Sequence, residues 1–223
     1  MGSSRFPGKM LRPLGSMPIL SWVIQRVKRA QTLHAVVVAT TTAQVDDPIA
    51  QLSANLGVYV FRGSESDVLG RFTAAAALYE ASAVVRVCAD NPFVDPVEID
   101  RLVSSFIEQD ADYSFNHQDR LGSKYADGFG AEVMRRGVLD QLSRVAKSPA
   151  HREHVTAALH DGTMACRMLA ITPPAALKHP ELRFDVDTPE DLERLAVLVA
   201  AGIHDRSSAA QIVEADRGTR RVS

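Results

Sequence analysis

The fold is decided by Ala83-Val84-Val85-Arg86-Val87-Cys88-Ala89-Asp90-Asn91-Pro92. A mostly β-branched apolar run ends in a carboxylate and an Asn-Pro turn, which reads as a central strand with Asp90 just past its carboxyl end. In open α/β sheets, ligands sit outside those ends. Far downstream, Phe184-Asp185-Val186-Asp187-Thr188-Pro189 again places a carboxylate before a helix, with Pro189 in its first turn and Glu190 and Asp191 suited to its dipole.

Outward from that strand, the pattern alternates strands and helices. Residues 33–39 form a continuous apolar run ending in three threonines, as expected of a strand buried on both faces. Before it, residues 18–30 carry Leu20, Val23, Ile24 and Val27 at helical spacing. After it, Asp46-Asp47-Pro48 opens a helix that Gly57 stops, residues 58–61 form a strand and 68–81 a helix. Further helices are expected over 98–108, 138–145 and 152–160, and strands over 112–115, 131–134 and 165–171. Residues 116–130 form a polar, glycine-bearing excursion of the kind that covers substrates. The tail from His204 is small and polar, with Arg217, Arg220 and Arg221, and fraying is expected there. The organisation is one α/β domain over 1–203 and a tail over 204–223.

Composition excludes several classes. Of 223 residues, 46% are hydrophobic and 23% charged, averages for an ordered soluble chain. Lys and Arg number 25 against 27 Asp and Glu, too balanced for broad attraction to nucleic acid or an anionic membrane, so anion binding must be local. No stretch suits a signal peptide or a membrane span, and Phe6 stands where N-myristoylation needs Ser or Thr. Cys88 and Cys166 have no metal or redox spacing, which fits packing roles in a reduced, cytoplasmic setting.

Local anion binding points to Gly2-Ser3-Ser4-Arg5-Phe6-Pro7-Gly8-Lys9, where small residues expose backbone N–H groups and Arg5 and Lys9 can reach separate phosphates. A solvated basic terminus has the same composition. The P-loop reading fails because five residues separate the glycines and Met10 replaces the hydroxyl. Any cation must be held elsewhere. Taken singly, Asp90 and Asp187 look like turn or helix-capping residues, and Asp185 could serve either purpose. Their shared placement at strand ends, together with the basic loop, favours Mg²⁺ held by two carboxylates plus phosphate and water. His151-Arg152-Glu153-His154 fits neither zinc-protease motif, no G-x-S-x-G elbow is present, and the remaining histidines are scattered.

MGSSRFPGK at 1–9, DDPIAQL at 46–52, FRGSESDVLGRF at 61–72, RVCADNPFVDP at 86–96, YADGFGAEV at 125–133, REHVT at 152–156 and RFDVDTPEDLERL at 183–195 together resemble the cytidylyltransferases of spore-coat-polysaccharide type. These are relatives of the CMP-KDO and acylneuraminate cytidylyltransferases. The resemblance implies a Rossmann-like nucleotide-diphospho-sugar transferase fold, a three-layer α/β/α sandwich with a mainly parallel sheet. It also implies CTP as donor, Mg²⁺ as cofactor and a sugar or sugar-acid acceptor in surface polysaccharide synthesis. Carried over by position, Ser3, Ser4, Arg5 and Lys9 contact the triphosphate, with Arg5 and Lys9 catalytic. Gly63, Asp67 and Arg71 lie toward the nucleotide, Asp90 and Asp187 hold the metal, and Tyr125, Asp127, Glu132, Arg152 and His154 line the acceptor side. Partners are CTP and the acceptor, with no nucleic acid and no membrane, and a homodimer stays open.

Three departures accompany the resemblance. Relatives place an apolar first strand before the basic loop, whereas this sequence opens at Met1-Gly2, so the expectation includes a sheet without that strand. Gly130 stands where relatives often have an acidic residue, and Ala126 where proline is frequent, which bears on acceptor choice. Two competing functions follow: a catalytically impaired nucleotide-binding or assembly subunit of a glycan pathway, and a nucleotidyltransferase using another nucleoside triphosphate.

Overall fold

A computed structural model describes residues 6–117 and 121–220. Ser3, Ser4 and Arg5 lie outside them.

After a 3-10 turn at Lys9–Leu11, β1 (Pro13–Leu14) and β2 (Met17–Pro18) form a two-stranded hairpin that leads directly into α1 (Ile19–Val27). Then follow β3 (Val37–Thr41), α2 (Asp47–Asn55), β4 (Tyr59–Gly63), α3 (Val68–Leu78), β5 (Ala83–Arg86) and α4 (Pro96–Glu108). The second half holds β6 (Tyr113–Phe115), β7 (Glu132–Arg135), α5 (Arg136–Val145), α6 (Pro149–Glu153), α7 (Ala157–His160), β8 (Met168–Ala170), α8 (Pro189–Ala200) and α9 (Ala209–Arg220).

β3 and β4 pair in parallel, and a second sheet has the order β5-β7-β6-β8. Because β7 is antiparallel to both β5 and β6 while β6 and β8 are parallel, β5, β6 and β8 all run one way and β7 alone is reversed. Alternation along these strands sorts side chains onto two faces. Val85, Val133 and Leu169 face a core shared with α1, α4, α8 and α9, while Val84, Met134 and Met168 face one shared with α3, α5 and α7. Helices therefore cover both faces, as an α/β/α sandwich requires.

Several expectations change. β5 lies at the edge of its sheet, not the centre, and among the described residues no ladder joins it to β3. With a paired neighbour on one side only, β3 and β5 keep most residues half-buried instead of sealed on both faces. Residues 33–36 stay outside β3, and the helix expected over 152–160 is interrupted between α6 and α7 at His154 to Thr156. The tail expected to fray forms α9 instead. Its Ile212 and Val213 are buried, and Asp95, which caps α4 through Val97 N at 2.9 Å, also accepts from Ala209 N at 2.6 Å. One carboxylate thus starts two helices. Of the excursion expected over 116–130, Asn116, Tyr125, Ala126 and Phe129 are buried.

Candidate active site

The Arg183–Asp187 run alternates strictly, with Phe184 and Val186 fully buried while Arg183, Asp185 and Asp187 face outward. Beneath it, Phe184 packs against Phe129 (ring centroids 4.6 Å apart) and Phe93 (6.4 Å), and Phe93 meets the edge of Trp22 (5.6 Å). This aromatic bed fixes the inner face, so the outer face becomes a rigid acidic strip. The helix start that follows pins Asp187. Asp191 accepts from Asp187 N (3.0 Å) and Thr188 N (2.9 Å), completing a capping box with Thr188. Asp90 is tied alongside, its carbonyl accepting from Val186 N at 2.9 Å.

The two carboxylates anticipated at 90 and 187 converge on a single cation. Lys9 Nζ donates to Asp90 Oδ2 at 2.9 Å, Asp187 Oδ1 at 3.2 Å and Val186 O at 2.8 Å, using all three ammonium hydrogens. Gly8, at φ +71, turns the chain so that Lys9 points inward, a backbone conformation that glycine adopts without steric cost. Three oxygens around one ammonium form a hard-donor set that also suits a divalent cation completed by phosphate oxygens and water. Among the described residues no group of three or more His, Cys, Asp or Glu could hold a metal ion.

Along the strip, Asp127 and Arg183 form an isolated parallel bridge, and Asp127 O accepts from Phe184 N at 3.0 Å. Burial, then the neighbouring Asp185 and Asp90, push the Asp127 carboxyl up to about 6, against the pull of Arg183. Arg183 donates to both oxygens of Asp185 and stands 4.0 Å from Asp127 Oδ2 and Asp187 Oδ2. The sequence reading assigned Arg183 no role, although its two-residue spacing from Asp185 and Asp187 was the available signal.

Other anticipated residues sort differently. Gly63 lies against Arg71, where a Cβ would meet Arg71 Cγ at 3.1 Å. Asp67 caps α3 by accepting from Gly70 N at 2.8 Å, and it also pairs with Arg152. Arg152 was assigned to the acceptor side and Asp67 to the nucleotide side, yet they form one ion pair. Despite its burial, Asp67 stays below the usual carboxylate range because Arg152 and Gly70 N stabilise its charge. Arg71 donates to Ser64 O at 3.0 Å, and its Nε is buried without a hydrogen-bond partner. His154 is exposed at the end of α6.

Tyr125 and Glu132 are corrections to the acceptor lining. The Tyr125 ring is fully buried and its hydroxyl donates to Glu98. Glu132 is sealed among Arg86, Tyr113 and Thr156, whose Oγ1 donates to it at 3.0 Å. Burial would raise its carboxyl, but Arg86, His117 and Tyr113 outweigh that and bring it down to about 2. Both side chains are spent on internal partners, leaving no surface for a ligand. Gly130 has a steric reason of its own. A Cβ there would lie 2.2 Å from Asn116 O, so the close backbone approach accounts for glycine without reference to an acceptor. Cys88 is held inert, its thiol pushed up to about 11 by burial.

Comparison with known proteins matches residues 1–206 to the cytidylyltransferase family model. The spore coat polysaccharide biosynthesis protein SpsF of Bacillus subtilis (strain 168) is 32% identical over 96% of this chain and 89% of that protein. A solved cytidylyltransferase from Leptospira borgpetersenii serovar Hardjo-bovis superposes with a TM-score of 0.91 at 28% identity, covering 100% of this chain and 92% of that one. The structure of CMP:2-keto-3-deoxy-manno-octonic acid synthetase complexed with CTP has a TM-score of 0.64 at 19% identity, covering 91% and 95% of the two chains, a likeness of fold.

Proposed function

This chain belongs to the cytidylyltransferase family and is a nucleotidyltransferase, and on that premise we propose that it transfers CMP from CTP to a hydroxyl of a sugar or sugar acid in surface polysaccharide synthesis, releasing pyrophosphate. The observation that carries the reading is the convergence of Asp90 Oδ2, Asp187 Oδ1 and Val186 O on one cation, beside the carboxyl end of β5. A divalent ion held there by Asp90 and Asp187, Mg²⁺ on this reading, would neutralise phosphate charge. The acceptor oxygen attacks the α-phosphorus in line, the bond to the bridging oxygen breaks, and the β- and γ-phosphates leave as pyrophosphate. No covalent enzyme intermediate is required.

Lys9 and Arg5 bring fixed positive charge to the phosphates, with Ser3 and Ser4 donating beside them. Gly63 gives close approach at the end of β4, and Arg71 keeps a spare donor next to it. The acidic strip rules out bare anion binding at its centre, so an anionic acceptor must approach from the Arg183 side. Asp127, its carboxyl raised by burial to about 6, is suited to accept from an acceptor hydroxyl there. Among the described residues no helix is long and apolar enough to cross a membrane.

The test is pyrophosphate release with CTP, UTP, GTP and ATP in turn, each offered with Mg²⁺ and a panel of sugars and sugar acids. Turnover confined to CTP supports the reading. Turnover with another nucleotide reassigns the donor, and binding of CTP without turnover on any acceptor rejects the proposed transfer.

A further inference from the structure

We propose that the Lys9 ammonium is a displaceable plug in the cation site, so that divalent metal and triphosphate enter the protein together and neither binds well alone. The inference rests on the assignment of Asp90 and Asp187 as metal carboxylates and adds an order of events to it. Lys9 Nζ occupies the point where the three oxygens meet, and only 10% of its side chain is exposed, against 29% for Asp90 and 23% for Asp187. The carboxylates are thus reachable from solvent while their charge is already answered from the protein side.

The two cations cannot share the place. Lys9 sits 2.8–3.2 Å from the oxygens, whereas Mg²⁺ needs the same oxygens at about 2.1 Å, with charge added directly beside the ammonium. Without nucleotide, an expelled ammonium exchanges three good acceptors for water. With nucleotide, it exchanges them for phosphate oxygens, and the carboxylates exchange the ammonium for the metal. The backbone needs little movement for this. Lys9 N donates to Phe6 O at 3.2 Å and Phe6 is buried, so the anchor stays while a flexible four-carbon stem swings. Because coupling between two ligands is reciprocal, nucleotide must strengthen metal binding by the factor with which metal strengthens nucleotide binding.

Binding of Mn²⁺ to the full chain, followed by its electron paramagnetic resonance signal, tests this without turnover. The wild-type chain alone should bind Mn²⁺ weakly, and Lys9→Met should bind it about tenfold or more tightly in the absence of nucleotide. Adding Asp187→Asn to Lys9→Met should abolish the gain. Should Lys9→Met fail to fold by circular dichroism, Lys9→Gln replaces it with the same expectation. No gain in the lysine variant, or a gain that survives Asp187→Asn, overturns the plug. Mn²⁺ binding to the wild type that is as tight without nucleotide as with a non-hydrolysable CTP analogue overturns it in the unaltered protein. Pyrophosphate release by the wild type is scored separately. If turnover is present and the gain absent, the plug fails and the transfer reading stands; if turnover is absent, the transfer reading fails whichever way Mn²⁺ behaves.

Discussion

Two cation–carboxylate clusters in this molecule are built from the same chemistry and behave oppositely. Around Glu132, Arg86, Tyr113 and Thr156 close a network in which the carboxylate is sealed from water. Around Lys9, the two carboxylates Asp90 and Asp187 share one ammonium and remain about a quarter exposed. A closed network fixes structure, since every buried polar atom has a partner that nothing outside can replace. An open one leaves its carboxylates able to exchange partners. The contrast explains why two acidic residues near strand ends, Glu132 and Asp90, belong to different links of the chain from sequence to function.

The largest expected break is Glu132→Gln, which leaves the half-buried Arg86 beside a neutral partner in a sealed network and should destabilise the fold by about 3 kcal/mol at neutral pH in urea denaturation. Because the folded carboxyl is held at about 2, below its ordinary value of 4.5, its stabilisation is full above 4.5 and lost as pH falls through 2. The difference between wild type and variant should therefore shrink over that window. Next, Asp90→Asn should cut turnover by about a hundredfold or more, roughly 3 kcal/mol of barrier, while unfolding at nearly the same urea concentration. Equal stability losses in the two variants would erase the distinction between closed and open clusters.

Smaller effects sharpen it. Asp67→Ala removes the α3 cap and the Arg152 pair together and should cost about 1–2 kcal/mol in thermal unfolding. Asp127 has the opposite sign from Glu132. Its folded carboxyl is raised to about 6, so its contribution is full below its unfolded value of about 3.8 and lost as pH rises through 6. Asp127→Asn should accordingly gain stability relative to wild type, by about 1 kcal/mol, between pH 4 and 7.

Much of this was legible in residue order. The β-branched run ending at Asp90 and the Asp187-Thr188-Pro189 helix start placed both carboxylates, because strand ends and helix caps are local signals. The strict alternation from Arg183 to Asp187 was equally local, and reading it through would have put Arg183 on the acidic face. What the sequence concealed was tertiary. Tyr125 sits in a polar, glycine-bearing stretch that reads as a substrate loop and Glu132 just past it at the start of β7, and only packing shows that Glu98, Arg86 and Tyr113 claim their polar atoms. The fate of α9 also depended on a distant carboxylate, since Asp95 closes its start across more than a hundred residues of chain. The Asp67–Arg152 pair is hidden for the same reason.

The central claim is that Asp90 and Asp187 hold one divalent cation against a bound cytidine triphosphate. Titrating Mn²⁺ into the protein with a saturating non-hydrolysable CTP analogue, and repeating it with Asp187→Asn, tests that most directly. Tight binding in the wild type, weakened about tenfold or more by the substitution, is the expected result; equal affinity in the two proteins would contradict it.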